Sequence, residues 1–275
     1  MPDDPRLDLL ALCALRDDNE SVDWSLIARE ARRPDGIPRL LAGAVLERTV
    51  AAQRARERLM RLLDQLPDAR ERVRREMDLA SDVNARLITV LDDDYPPNLR
   101  LISNLPPFLF MRGRALTPDD NLSVAVVGTR KPSPEGRSAA AHLASALADH
   151  SVTVVSGLAA GIDAEAHRAA LDAGGRTIAV IGTGITRTYP KENAELQAEI
   201  IERGTVVSQF WPSTSPARWT FPRRNVVMSG IAQGTAVIQA SSTSGAKMQA
   251  RLALEHGKRV FLHQDRKSGS AGMPR

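Results

Sequence analysis

An aspartate and a histidine, Asp163 and His167, lie four residues apart in the stretch SGLAAGIDAEAH. On a helix this spacing puts both side chains on one face, where they can hydrogen-bond to each other or to a neighbouring turn. A catalytic pair would also need a nucleophile or a metal ion nearby. The sequence has no GxSxG elbow, and its five histidines lack the spacing of metal ligands. We therefore predict a structural role for both residues, and no catalytic residue, metal or cofactor.

This stretch joins a β-branched strand to a helix, and the same alternation continues from residue 121 onwards. Short runs of valine and isoleucine predict strands that are buried on both faces, as in parallel sheets. The predicted strands are 123–127, 153–155, 176–181, 205–208, 235–239 and 259–263. Amphipathic segments predict the covering helices, which are 135–149, 162–173, 191–203, 223–232 and 245–256. The pattern predicts an α/β fold with a doubly wound, mainly parallel Rossmann-like sheet.

The chain upstream has a different pattern, which predicts an N-terminal helical domain over residues 1–85. Within it, 43–66 is predicted as one long helix, after which Pro67 opens another. We interpret the arginines of 51–66 as a solvated face, with nucleic-acid binding as the alternative. LITVL and FLFM predict two short strands between residue 86 and Gly113. The predicted domains are 1–85, an extended Rossmann domain over 86–264, and a disordered tail over 265–275.

Composition narrows the class of protein. The net charge of +4 and the pI near 9.6 are compatible with a polyanionic partner. Cys13 is the single cysteine, which excludes an internal disulfide framework and fits a reducing cytoplasm. The sequence has no run of eighteen apolar residues and no secretory signal at its start. We therefore expect a cytoplasmic protein without a membrane association.

Ligands of open parallel sheets bind beyond the carboxyl ends of the strands. The turns at those positions are rich in glycine and serine, and three of them carry cations: Arg130, the pair Arg223 and Arg224, and Lys247. Glycine lets backbone N–H groups approach an anion, and arginine can bind a phosphate through two hydrogen bonds. A single turn of this kind has another explanation, since glycine also allows a tight connection between a strand and a helix. The convergence of several at one sheet edge predicts an anion pocket.

Two familiar nucleotide-binding classes do not match these turns. The P-loop pattern GxxxxGK[ST] is absent, and the first turn reads GTRKPS rather than GxGxxG. The second strand ends in Ser156, where a dehydrogenase would offer an acidic residue to the ribose. A nucleoside triphosphatase and a hydride-transfer enzyme are both disfavoured.

Several of these segments together resemble the DNA-processing protein A family (DprA, also called Smf). The matching segments are VAVVGTRKPSPEG, SGLAAGIDAEAH, GGRTIAVIGTGITRTYPKENAEL, FPRRNVVMSG and SGAKMQARLALEHGKRVF. DDDYPPNLRLISNLPPFLFMRG is similar to the family's entry into its Rossmann-like domain. The resemblance is specific over about 91–261 and weak over the first 85 residues.

The resemblance implies a non-enzymatic protein that binds single-stranded DNA, protects it and loads the RecA recombinase during natural transformation. It also implies a homodimer formed through the Rossmann-like domain. Phe210, Trp211 and Trp219 are candidates for base stacking, with anchoring of their loop on the sheet as the alternative. The expected DNA and phosphate contacts are Gly128, Thr129, Arg130, Ser156, Gly157, Gly161, Arg223, Arg224, Asn225, Ser244, Gly245 and Lys247.

The chain departs from the family pattern at two sites where glutamate is common, Gln209 and Gln239. Both exchanges remove negative charge near the expected pocket, which favours a phosphate and weakens an acid–base role. No winged-helix segment is seen after the last strand. The alternative function is a nucleotide-binding sensor of the related Rossmann proteins, acting for example in phage defence. Those that cleave nucleotides carry PGGxGTxxE, whereas this chain reads GIAQGTAVIQA.

Overall fold

The computed structural model describes residues 4–16, 21–240 and 245–263. The predicted tail and Ser244 lie outside these residues. Helices form the N-terminal part, as predicted, and three of them begin at a side chain that accepts a first-turn N–H: Asp4, Asp23 and Thr49. Because Thr49 caps the helix, the helix predicted from residue 43 begins only at residue 50. The helices are α1 (Pro5–Ala14), α2 (Trp24–Ala31), α3 (Gly36–Leu41), α4 (Val50–Leu62) and α5 (Leu66–Asp82).

The described strands form one eight-stranded sheet with the order β1-β2-β6-β5-β4-β3-β7-β8. From β6 to β8 neighbouring strands are parallel, while β1 and β2 extend the sheet antiparallel beyond β6. The mainly parallel sheet of the sequence prediction is confirmed. The strands are β1 (Arg86–Thr89), β2 (Phe108–Gly113), β3 (Ser123–Val127), β4 (Thr153–Ser156), β5 (Thr177–Val180), β6 (Thr205–Ser208), β7 (Gly234–Val237) and β8 (Arg259–Leu262).

The strand order reverses at β3, which lies between β4 and β7. From β3 the chain proceeds through β4 and β5 to β6, and then returns to place β7 on the other side of β3. In doubly wound sheets a crevice opens at such a reversal, beyond the carboxyl ends of the two strands. The fold therefore predicts a ligand site at the turns that follow β3 and β7.

Helices cover both faces of the sheet. They are α6 (Pro97–Arg100), α7 (Pro134–Asp149), α8 (Ile162–Asp172), α9 (Ala194–Arg203), α10 (Thr220–Ile231) and α11 (Gly245–Glu255), with short 3₁₀ turns at Leu63–Gln65, Pro118–Asn121 and Lys191–Asn193. Side chains alternate along β3: Val126 packs with α7 and α8, while Ala125 and Val127 join the larger core with α10.

The N-terminal helices share that larger core. One continuous cluster of buried side chains contains Leu9 of α1, Phe108 of β2 and Val227 of α10. The predicted domain boundary at residues 85 and 86 falls between α5 and β1. The division into separate domains stays a prediction.

Candidate functional site

A cleft of about 430 Å³ lies at the reversal point of the sheet. The turn after β3 forms one side through Gly128 and Arg130, and the first turn of α11 forms the other through Gly245. The first half of α10 contributes Phe221 and Asn225. The structure thus brings together residues from three of the turns in which the sequence predicts an anion pocket.

Two glycines let the turns after β3 and β4 pack against each other. A Cβ on Gly128 would lie 2.5 Å from Ile162 Cγ1, inside the van der Waals distance. Gly161 has a φ of +82°, and a Cβ there would meet the Thr129 carbonyl oxygen. The Ile162 N–H donates to that same carbonyl at 3.2 Å. These glycines are therefore required for the close approach of two turns.

Asp163 joins the same two turns from inside the protein. Its buried carboxylate accepts a hydrogen bond from the Gly157 N–H at 3.1 Å, and the N–H groups of Ala159 and Gly128 also stabilise it. Burial raises the pKa of Asp163, while Arg224 and these three N–H groups act in the opposite direction. The amides of the two turns therefore bind an internal carboxylate.

His167 is fully buried one helical turn further on. Its Nδ1 lies 2.7 Å from Thr177 Oγ1, and that hydroxyl donates to the Val154 carbonyl at 2.9 Å. When the Thr177 hydroxyl donates to Val154, it accepts a hydrogen bond from Nδ1 of the neutral imidazole. Burial, with help from the positive charges of Arg224 and Arg168, lowers the pKa of His167 to about 3. His167 is a neutral side chain that links α8 to the sheet.

Three of the expected phosphate contacts lie inside the protein. Ser156 is buried, and its hydroxyl donates to the Val126 carbonyl at 2.6 Å, which ties β4 to β3. Arg224 is also buried and donates to the carbonyls of Gly157 and Val180, the latter at 2.7 Å. A Cβ on Gly157 would collide with the Arg224 guanidinium. These groups satisfy backbone carbonyls and shape the floor of the cleft.

The exposed cations do not all face one cavity. Arg130 lines the cleft, with its guanidinium carbon 5.6 Å from the centre of the Phe221 ring. Arg223 is exposed, lies 5.2 Å from the Trp219 ring centre and lines a separate groove. Lys247 is exposed on the first turn of α11, outside the lining of the cleft. From their positions in the sequence, these three cations were predicted to line one pocket.

The three aromatic residues of the loop after β6 differ in exposure. Phe210 is buried, and Trp211 packs against Phe108 with ring centres 4.6 Å apart. Trp219 is 52% exposed. The loop-anchoring alternative therefore fits Phe210 and Trp211, whereas Trp219 offers a ring face to a ligand.

Gln239, one of the two departures from the family pattern, has a role that the sequence did not reveal. Its side-chain oxygen accepts a hydrogen bond from the Ser133 N–H at 2.9 Å. Ser133 is the N-cap of α7, so the amide joins the end of β7 to the start of that helix. Gly136 makes room for it, since a Cβ there would lie 2.5 Å from the amide oxygen. The second departure, Gln209, is buried at the end of β6.

Within the described residues there is no cluster of three or more His, Cys, Asp or Glu side chains that could hold a metal ion. The described helices include none long and apolar enough to cross a membrane.

Residues 86–273 match the family described as DNA recombination-mediator protein A. The chain belongs to this family. It is 37% identical over 167 residues to the DNA processing protein DprA of Bacillus subtilis and 40% identical over 168 residues to the protein Smf of Escherichia coli. These matches cover 61% of this chain, and 56% and 45% of the two relatives. The chain therefore spans about half the length of these curated relatives.

Two solved structures share the fold. The DNA processing protein A of Streptococcus pneumoniae superposes with a TM-score of 0.67 at 35% identity, over 78% of this chain and 72% of that one. A DNA processing protein A from Helicobacter pylori, described for its single-stranded DNA binding mode, gives 0.61 at 27% identity. That superposition covers 68% of this chain and 83% of the other. The family and the Rossmann-like fold of the sequence prediction are confirmed.

Proposed function

We propose that this chain is a non-enzymatic single-stranded DNA-binding protein whose cleft holds backbone phosphates. The observation that carries the proposal is the position of exposed Arg130 at the opening of a cleft at the sheet's reversal point. A guanidinium beside a concave opening attracts a phosphate, and a contact to a phosphate does not depend on the base sequence. The single-stranded DNA binding described for the Helicobacter pylori relative supports this choice of ligand.

The residues divide into two roles under this proposal. The exposed side chains of Arg130, Arg223 and Lys247 contact phosphates, together with the half-exposed turn of Thr129. The buried and half-buried residues around the cleft fix the shape of the turns that present those groups. That second set contains Gly128, Ser156, Gly157, Gly161, Asp163, His167, Arg224 and Asn225.

The proposal includes the partners implied by the family resemblance. The bound strand is passed to the RecA recombinase in the reducing cytoplasm, and the protein acts as a homodimer. The edge of the sheet supports the dimer, because among the described strands β8 pairs only with β7, and it exposes Phe261 and Leu262 by 53% and 71%. Leu254 of the adjacent α11 is 64% exposed. An unpaired apolar edge strand is a template for pairing with a second copy. Leu262→Glu should therefore convert the dimer to a monomer in sedimentation experiments.

Fluorescence anisotropy with a labelled single-stranded oligonucleotide at several salt concentrations tests DNA binding. With one phosphate neutralised by each of the three exposed cations, the logarithm of the binding constant should fall against the logarithm of the salt concentration with a slope of about −2. Arg130→Ala should weaken binding and make the slope shallower by about 0.7. Arg114→Ala is the matched control and should leave the affinity unchanged, because this exposed arginine follows Gly113, which pairs with Thr205 at the amino end of β6, the edge of the sheet opposite the cleft.

A nucleotide-binding sensor is the second candidate, because the cleft volume of about 430 Å³ is within the range of small-molecule sites. Duplex DNA and mononucleotides as competitors separate the two functions. Salt-sensitive binding for which duplex DNA competes poorly supports the single-stranded DNA function. Failure to bind any oligonucleotide, together with retention of a mononucleotide, would replace it with the sensor.

A further inference from the structure

A second groove, of about 510 Å³, lies between the N-terminal helices and the loop after β6. The chain has three tryptophans, Trp24, Trp211 and Trp219, and all of them line this groove. The first belongs to α2, and the other two belong to the loop. The fold thus brings together aromatic side chains from two distant parts of the sequence.

The tryptophans form a fixed wall and one accessible face. The indole N–H of Trp24 donates to the Cys13 carbonyl at 2.8 Å, and its ring centre lies 5.9 Å from that of Trp211 in an edge-on arrangement. Trp219 rests edge-on against buried Phe210, with ring centres 5.7 Å apart, and remains 52% exposed. A half-exposed indole on a buried support is suited to stacking a planar group.

The groove is also strongly positive. Four arginines and one glutamate contribute to its lining, and they are Arg16, Arg72, Arg75, Arg223 and Glu76. The Glu76 carboxylate accepts hydrogen bonds from the Ser213 N–H, at 2.9 Å, and from the Ser213 hydroxyl. The Arg223 guanidinium lies over the Trp219 ring, with its central carbon 5.2 Å from the ring centre, so a cation and an aromatic ring are in contact at the same point of the groove.

The groove and the cleft flank the same turn of α10. Trp219 lines the groove, and Phe221 lines the cleft. Two residues span at most about 7 Å of chain, so the two openings are close neighbours. A strand bound at Arg130 therefore has a second positively charged surface within reach.

We propose that this groove, here called the tryptophan groove, is a base-stacking subsite for the part of a single strand that extends from the cleft. The inference rests on the proposed function and adds the N-terminal helices to the DNA-binding surface. Stacked bases with phosphates on surrounding arginines are the usual mode of sequence-independent single-strand binding. An acidic protein segment would match the charge but would not make use of an exposed indole beside an arginine.

Oligothymidylates of two lengths test the subsite, a dinucleotide and a strand of about 20 nucleotides, which exceeds the site sizes of single-strand binders. The dinucleotide can occupy the cleft alone, whereas the long strand should also enter the tryptophan groove and quench tryptophan fluorescence. Trp219→Ala and Arg223→Ala should each weaken binding of the long strand, the former about tenfold, with little effect on the short one. Trp219→Phe should restore most of the affinity, because phenylalanine retains a ring for stacking.

Leu101→Ala and Arg114→Ala are the matched controls, since Leu101 is 81% exposed outside the lining of the groove and Arg114 is exposed at the edge of the sheet opposite the cleft. The subsite is refuted if the long strand binds through Arg130 but Trp219→Ala and Arg223→Ala bind it as well as the controls do. It is also refuted if Arg223→Ala abolishes binding of polyglutamate and leaves DNA binding intact, which would indicate an acidic protein partner. Failure of the wild-type protein to bind either strand would instead refute the proposed function.

Discussion

Acid should destabilise this protein through His167, a buried histidine that is neutral in the folded state. Its imidazole is fully buried, and Nδ1 forms a hydrogen bond with the Thr177 hydroxyl. Desolvation of the charged form, reinforced by Arg224 and Arg168, lowers its pKa from 6.5 to about 3. The unfolded chain therefore binds a proton at a pH where the folded chain does not.

The sign and the size of the effect follow from this difference. Above pH 6.5 both states are neutral at this residue and it adds no pH dependence. As the pH falls from 6.5 towards 3, the unfolded state is increasingly favoured. With about 1.4 kcal/mol per pKa unit, His167 should cost about 2 kcal/mol of unfolding free energy by about pH 5. The cost should approach about 5 kcal/mol when the folded protein also begins to titrate.

Urea unfolding between about pH 7.5 and pH 5 measures this dependence. His167→Asn keeps a donor for Thr177 but removes the titration, so it should be less stable at neutral pH and lose about 2 kcal/mol less on acidification. His142→Gln, on the exposed side of α7, should behave like the wild type. If the asparagine variant does not fold, the NMR titration of the His167 imidazole in the wild-type protein replaces it. Titration near pH 6.5 in the folded state, or equal slopes for wild type and His167→Asn, would refute the reasoning.

Four further variants can be followed by urea unfolding at neutral pH. Ser156→Ala should cost about 1–2 kcal/mol, because a buried strand carbonyl loses its donor. Gly174→Ala should cost about 1–2 kcal/mol, which is typical of an alanine in the left-handed region, because its φ is +71° and the space around it is open. Gly161→Ala should cost more than this, because the added Cβ also collides with a neighbouring turn. Arg176→Ala should cost about 3 kcal/mol or more, because it removes the partner that lies 2.9 Å from the buried Asp120 carboxylate. Equal losses for the two glycine variants would contradict the packing argument.

Much of the sheet could be predicted from the sequence, because parallel strands are buried on both faces and therefore consist of short runs of β-branched residues. The runs SVAVV and TVVS coincide with β3 and β6. The helix α3 was not predicted, since six residues are too few to show a helical period. The antiparallel pairing of β2 with β6 was not predicted either, because strand order depends on contacts between distant segments.

Local sequence also could not separate the roles of adjacent residues at the site. The sequence does not distinguish Arg223 from Arg224, but the side chains of successive residues on a helix point in directions about 100° apart. One side chain is exposed beside Trp219, and the other is buried against strand carbonyls. In the sequence, a serine after a strand is a candidate hydrogen-bond donor to a phosphate. In the structure, the Ser156 hydroxyl donates its hydrogen to the Val126 carbonyl instead.

The sequence by itself therefore determined the fold class, the family and the edge of the sheet where the cleft opens, because these depend on local periodicity and on motifs of neighbouring residues. Tertiary structure alone decided which cations face solvent, which amides are already bound to Asp163, and that three tryptophans from separate segments meet in one groove. Those features depend on how distant elements pack, and packing is a property of the whole chain.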